Sequence, residues 1–299
     1  MDQLEQRVLG LRPGRMAVVA AHDEAVLASL KPVHELGLIQ PTLIGDKEEI
    51  FRIADQIGFN VDGLNIIKEM DNRSSAELAV NLVVSGDADI IMKGNLQTAD
   101  LLKAVLEKDK GLRTGNLISH CGLHEVPGYP RLLLVSDAGI NIAPDLKQKT
   151  QIIRNAVFVM NAIGVEQPKV AAVAAVELVN PSMQATLDAA ALAKMAQRGQ
   201  LGNCLVDGPL GMDNAISLEA AKHKNINSEV AGAADIILVP DIETGNVLVK
   251  SMVFLFKVRS CGVIAGAKVP LVVTSRAESS DTKYNSILLA LAMMHSQQP

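Results

Sequence analysis

Short apolar runs alternate along this chain with longer stretches whose apolar residues recur every three or four positions. Residues 16–21 (Met-Ala-Val-Val-Ala-Ala) read as a buried strand. Val26, Leu27, Leu30, Val33 and Leu36 then follow helical spacing. The same reading predicts strands at 42–44, 65–67 and 89–92. It predicts helices at 47–57, at 74–84 with Ser75 as a cap, and at 99–106 with Thr98 as a cap. Such β-α alternation predicts a parallel, multiply wound sheet. Residues 107–130 carry charge, Gly and Pro with weak periodicity, and a domain junction is expected there. Beyond it, strands at 132–135, 170–176, 204–206 and 234–239 alternate with helices at 145–163, 183–197 (Ser182 as cap), 214–223 and 247–256. These predict a second α/β unit. A strand at 269–273 and a helical stretch at 287–294 end the chain and are expected to return to the first unit.

Composition narrows the class. A chain of 299 residues, 48% hydrophobic, has the material for one large or two ordinary α/β domains. Only 2% of residues are aromatic and none is Trp. The core must therefore be aliphatic with Met, as expected of parallel strands covered on both faces. A net charge of −5 without a basic stripe excludes nucleic acid as an expected partner. Cys121, Cys204 and Cys261 are odd in number and far apart, which points to a reducing compartment. The first residues lack the apolar segment of a signal peptide, and no apolar run is long enough to span a membrane. A soluble, cytoplasmic protein is expected.

The candidate chemistry lies where strands end. Val-Pro-Leu-Val-Val-Thr-Ser-Arg-Ala-Glu-Ser-Ser-Asp-Thr-Lys (269–283) runs from an apolar strand straight into hydroxyls and a guanidinium before a helix. Ligands of open α/β sheets bind outside the carboxyl ends of strands. Hydroxyls, Arg and helix-start N–H groups suit a phosphate or another anion. A Ser-rich cap with a solvated Arg reads equally well from these residues alone. Met-Lys-Gly-Asn-Leu-Gln-Thr (92–98) repeats the situation. Lys93, Asn95 and Thr98 line an anion pocket, or the segment is a surface turn with a solvated Lys. After 132–135, Asp137 and Asn141 bind a ligand or form Asx turns. His120, Cys121 and His124 resemble part of a metal cluster, but nothing completes a tetrahedral set, and residues packed at a junction are the preferred reading. The first β-α turn has no glycine fingerprint, and no G-x-x-x-x-G-K-[ST] occurs, which disfavours dinucleotide and P-loop sites.

Six segments in order carry a resemblance. They are Met-Lys-Gly-Asn-Leu-Gln-Thr (92–98), Ser-Asp-Ala-Gly-Ile-Asn-Ile-Ala-Pro (136–144), Ala-Ala-Val-Glu-Leu-Val-Asn-Pro (174–181), Val-Asp-Gly-Pro-Leu (206–210), the stretch 230–246 ending Pro-Asp-Ile-Glu-Thr-Gly-Asn, and Thr-Ser-Arg-Ala-Glu-Ser (274–279). Together the chain resembles the phosphate acetyl/butyryltransferase family from Ala17 onward, with the Lys-Gly-Asn and Glu-Leu-Val-Asn-Pro versions similar to its butyryl branch.

The resemblance implies an α/β fold of the isocitrate/isopropylmalate dehydrogenase type. It implies two three-layer α/β domains, 1–118 with 264–299 and 119–263, and an inter-domain cleft for coenzyme A and phosphate. The implied reaction is butanoyl-CoA plus phosphate to butanoyl phosphate plus CoA, within butanoate metabolism. Coenzyme A would be a substrate, no cofactor would be tightly bound, and no metal would be used. A homo-oligomer, a dimer or a multiple of dimers, with neither membrane nor nucleic acid as partner, completes the expectation.

Roles transfer residue by residue. Ser275 and Arg276 match the family's catalytic pair, Arg276 holding phosphate and the developing oxyanion and Ser275 bonding the phosphate or the CoA sulfur. Acetyl members carry an Asp seven residues after that Ser; here Thr282 stands there and Asp281 one position earlier. Either Asp281 takes the role of base, or a thiol of pKa about 8.5 needs no carboxylate. Lys103 stands where acetyl members often have a CoA-binding Arg. Lys250, after Gly245-Asn246, matches a lysine on the CoA side, and Asn141 and Asn246 join the binding set. Three alternatives stay open. One is a phosphate acetyltransferase, or a broader acyl enzyme using branched acyl-CoAs. Another is a β-decarboxylating dehydrogenase drawing on Asp207, Asp213, Asp235 and Asp241 for a metal. The third is a non-catalytic protein that binds CoA or acyl phosphate.

Overall fold

In the computed structural model, which describes residues 1–275 and 278–296, the chain divides into two units. The first holds residues 2–116 and those from 261 onward; the second holds 117–260 with Met1.

The first unit opens with α1 (Asp2–Val8) and proceeds through β1 (Gly14–Val19), α2 (Glu24–Glu35), β2 (Ile39–Gly45), α3 (Lys47–Ile57), β3 (Asn65–Lys68), α4 (Asn72–Val84), β4 (Ile90–Lys93) and α5 (Thr98–Val105). The chain returns to it in β10 (Arg259–Ala265), β11 (Leu271–Val272) and α11 (Ser280–His295). Its strands lie in the order β3-β2-β1-β4-β11-β10. Five of them run parallel, and β10 is antiparallel to β11. Ile44, Ile90, Ile91 and Met92 are wholly buried. Truncating one of them, as in Ile91→Ala, would cost about 2–5 kcal/mol through lost transfer energy and the cavity left behind. α11 packs against α1 and α2, which ties the end of the chain to its beginning.

The second unit contains β5 (Ser119–Glu125), β6 (Leu133–Ser136), α6 (Leu146–Ala162), β7 (Lys169–Val173), α7 (Gln184–Gln197), β8 (Leu205–Leu210), α8 (Met212–Ile216), α9 (Leu218–His223), β9 (Ile236–Leu238) and α10 (Ile242–Lys250), followed by a π-helical turn (Ser251–Leu255). Its strand order is β5-β6-β9-β7-β8, parallel except for β5 against β6. Leu133, Val135, Ala171, Ile237 and Val239 join Leu210, Val230 and Met252 in one apolar cluster.

Several expectations are corrected. The sheets are mixed rather than purely parallel. β5 and β10 had escaped notice because their His, Cys, Ser and Gly residues break the apolar run; short connections then force each to pair antiparallel with the next strand. β8 continues through Asp207-Gly208-Pro209, and Pro209 is tolerated because β8 lies at the end of its unit's strand order. β7 ends at Val173, earlier than expected. The expected helix 214–223 is broken at Ser217, whose backbone is extended and whose hydroxyl caps α9 by accepting the Ala220 N–H. The helix expected at 247–256 starts at Ile242 behind the cap Asp241, so Gly245 and Asn246 lie within it.

Three caps also differ. Asp71 caps α4, while Ser75 is buried inside that helix with its hydroxyl donating to Glu69 O. Thr98 is the first residue of α5 and does not cap it. Met183 precedes α7 without a side-chain cap, leaving Ser182 outside. Carboxylates fill the capping role elsewhere: Asp46 accepts from Glu48 and Glu49, and Asp145 with Gln148 forms a capping box on α6.

Candidate active site

β11 pairs with β4 in register, Leu271 beside Ile91 and Val272 beside Met92, so the two polar exits noted in sequence emerge side by side. β1 flanks β4 on the other edge, with Val19 beside Lys93. Gly94 allows this approach. A Cβ there would meet Ala20 O at 2.2 Å and Val19 O at 2.5 Å, so any side chain would force the β1 and β4 exits apart.

Lys93 is not the solvated lysine of a surface turn. It is the last residue of β4, 4% exposed, and its Nζ donates to Gly94 O at 3.0 Å and Leu96 O at 3.1 Å. Thr274, two residues past β11, is 5% exposed, and its hydroxyl is buried without a partner among the described residues. Ser275 follows and is exposed; its N–H donates to Glu278 Oε2 at 2.8 Å, and its carbonyl accepts the Glu278 N–H at 3.1 Å. Arg276 lies outside the described residues. Lys93, Thr274, Ser275, Gly94, Asp23 and Lys283 line one small recess.

Lys283 had not been singled out. It is 3% exposed, one turn into α11, and its Nζ donates to Glu278 O at 2.7 Å and Ser275 O at 3.3 Å. Burial pushes its pKa down, while the charges of Glu278 and Asp23 pull it back up. The signal was present in sequence: Lys283, Ile287 and Leu291 stand four apart on one helical face, and the latter two are wholly apolar and buried. A lysine on an apolar stripe asks for a reason.

Two buried ammonium groups and an unsatisfied hydroxyl make an environment suited to an oxygen that carries or gains negative charge. Asp281 is the second residue of α11, exposed, and outside this lining. Asn95 is exposed in the turn after β4, with its N–H on Ala20 O. Lys103 is exposed on α5 and shares a groove of about 420 Å³ with Arg73, Asn81, Asp100 and Lys110.

In the second unit, Asp137 accepts the N–H groups of Gly139, Ile140 and Asn141. The Asn141 side-chain amide donates to Asp137 Oδ2 at 2.6 Å and to Ile118 O at 2.9 Å. Gly245 brings α10 onto this turn: its Cβ would meet Ala138 Cα and Asp137 O, both at 2.9 Å. Asn246 then reaches Ala138 O at 3.4 Å, and Lys250 is exposed at the end of α10. Asn141 and Asn246 thus meet on one turn. His120, Cys121 and His124 lie on β5. Burial, then His120, pushes His124 down to about 3, and burial raises the Cys121 thiol to about 12. Among the described residues, no group of three His, Cys, Asp or Glu is placed to hold a metal.

A family model described as "Phosphate acetyl/butaryl transferase" matches residues 69–291. The chain belongs to the phosphate acetyl/butyryl transferase family. Its relatives in this family carry both acyl names. It is 47% identical over 289 residues to a phosphate butyryltransferase of Clostridium acetobutylicum, covering 97% of this chain and 96% of that one. It is 45% identical over 276 residues to a phosphate acetyltransferase of Thermotoga maritima, covering 92% and 94%. A branched-chain phosphotransacylase from Enterococcus faecalis V583 superposes with a TM-score of 0.83 at 30% identity, covering 95% of this chain and 99% of that one. The α/β fold class expected from sequence is the one found.

Proposed function

We propose that this chain transfers a butanoyl group between coenzyme A and inorganic phosphate. A phosphate oxygen attacks the thioester carbonyl carbon, and a C–O bond forms as the carbonyl becomes an oxyanion. The C–S bond then breaks, releasing CoA as a thiolate that takes up a proton from solvent, or from a donor in the reverse sense of Asp281 as base. The reading is carried by the recess at the β4 and β11 exits, where Lys93, Thr274 and Ser275 converge. Fixed positive charge and an unpaired hydroxyl stabilise the oxyanion more than the neutral carbonyl, and this difference accelerates the reaction. Arg276 is assigned to the same oxyanion and phosphate through its match to the family pair. The scheme uses CoA as substrate and calls on no resident cofactor.

The recess is far too small for CoA. The α4–α5 groove containing Lys103 is larger, about 420 Å³, and is assigned to the nucleotide end of CoA. Asn141, Asn246 and Lys250 are assigned as CoA contacts of the second unit. A homo-oligomer belongs to the same reading, supported by Phe254, Leu255 and Phe256, each more than half exposed after α10. A cytoplasmic location belongs to it too; among the described residues no helix is long and apolar enough to cross a membrane.

The second reading is acetyl transfer, favoured by the 45% identity to an acetyltransferase. The test is CoA release from butanoyl-CoA, isobutanoyl-CoA and acetyl-CoA, with and without phosphate, followed by a thiol reagent. Phosphate-dependent release that is fastest with butanoyl-CoA is expected. Faster release from acetyl-CoA moves the chain to the acetyl reading, and no release from any of the three overturns both.

A further inference from the structure

We propose that Lys283 is a positioning residue for the transfer reaction: its buried ammonium clamps both ends of the loop that contains Ser275 and, in sequence, Arg276. A lysine at this place is a poor choice for packing alone. It sits on the buried face of α11 with Ile287 and Leu291, and a Leu or Met would fill the same space without losing hydration. Among the described residues, no carboxylate forms an ion pair with it. Its charge is met instead by two carbonyls, those of Ser275 and Glu278. These carbonyls lie three residues apart, at either end of the loop.

The rest of the loop closes on the same clamp. The Glu278 carboxylate accepts the Ser275 N–H, and the Glu278 N–H donates back to the Ser275 carbonyl. Both backbone groups of Ser275 are thereby held by Lys283 and Glu278. Among the described residues, Glu278 in the loop, Asp23 at the start of α2 and Lys93 at the end of β4 are the charged groups around the ammonium; the segment after β11 contributes the uncharged Thr274. An ammonium has three N–H donors. Two serve the carbonyls, and Lys283 lines the recess that contains the Thr274 hydroxyl. Displacing a reacting group by about 1 Å costs on the order of a hundredfold in rate, so a clamp on this loop acts on turnover rather than on affinity.

The kinetic arm of the test rests on the acyltransferase reading; the exchange arm does not. In Lys283→Met, kcat is expected to fall about a hundredfold, with KM for butanoyl-CoA changed less than about threefold and the thermal midpoint nearly retained. Lys283→Arg, which restores charge and donors, should recover at least about a tenth of the lost kcat. Hydrogen exchange at the Ser275 and Glu278 amides should quicken in Lys283→Met while the middle of α11 keeps its protection. If Lys283→Met does not fold, Lys283→Gln takes its place with the same expectations. Wild-type kcat in a folded variant, or unchanged exchange at 275 and 278, overturns the proposal. If the wild type itself releases no CoA, the functional reading fails, and exchange alone decides the clamp.

Discussion

At the end of β6, Asp137 has its carboxylate taken up by three backbone N–H groups and the Asn141 amide. Just past β11, Thr274 is nearly as buried, yet its hydroxyl has no partner among the described residues. Both exits look the same in sequence: apolar strand, then small polar residues, then helix. One turn has spent its polar groups on its own shape. The other holds an unsatisfied hydroxyl beside two buried lysines, an arrangement that costs stability unless something else repays it. Polar residues at a strand end are thus weak evidence for a site, and buried polar atoms left without partners are stronger evidence.

Lys93→Met is the change expected to matter most. It removes a buried charge from the recess and is expected to lower kcat/KM about a thousandfold or more. It also removes the Lys93 donor from Leu96 O and leaves Gly94 O with the Leu96 N–H alone, at a cost of about 1–3 kcal/mol in stability. Steady-state kinetics and a urea titration separate the two effects. Thr274→Val keeps the shape and deletes the orphaned hydroxyl. Stability should rise or hold, while kcat falls about tenfold to a hundredfold. Lower stability with unchanged kcat would make Thr274 as structural as Asp137.

Asn141→Ala tests the other side of the comparison. It should cost about 1–3 kcal/mol in urea unfolding, because Asp137 and Ile118 O lose a donor. A tenfold rise in KM for butanoyl-CoA at unchanged stability would instead put the second unit's turn on the same footing as the recess. Acid gives a further contrast in that unit. His124 is held neutral, its pKa lowered from 6.5 to about 3. Between those values the unfolded chain binds the proton and the folded one does not, so the stability contributed by neutral His124 is present above pH 6.5 and lost as pH falls toward 3. The loss at pH 5 is about 2 kcal/mol. Urea midpoints at pH 7.5 and 5 should differ less in His124→Leu than in the wild type. The smallest effect is expected from Asp281→Asn, since that side chain is exposed and outside the recess: kcat within about threefold. A hundredfold loss would restore Asp281 as the base.

Much of the architecture was legible where one local rule acted alone. Lys47–Ile57 was read to the residue, because apolar spacing, an Asp cap and a terminal Gly agree there. β5 was not legible, since His120, Gly122 and His124 interrupt the alternation that marks a strand. Ser75, Thr98 and Ser182 were misread as caps because side-chain type alone does not say which residue begins the first turn. At Ser75 a neighbouring Asp did so instead. Lys283 ends a polar stretch in sequence, and its importance depends on burial, which one helix cannot reveal.

The order of residues by itself determined the alternation of strands and helices, the aliphatic core, the family, and the polar turns at strand ends. These depend on local periodicity and on residue identity, and each reads along the chain. Only the tertiary structure decided which turns meet. β4 and β11 are separated by some 180 residues of sequence and lie side by side in the sheet, which brings Lys93, Thr274 and Lys283 to one recess. Adjacency of strands is set by long-range pairing, and the cost of burying a charge or a hydroxyl is set by what surrounds it in three dimensions.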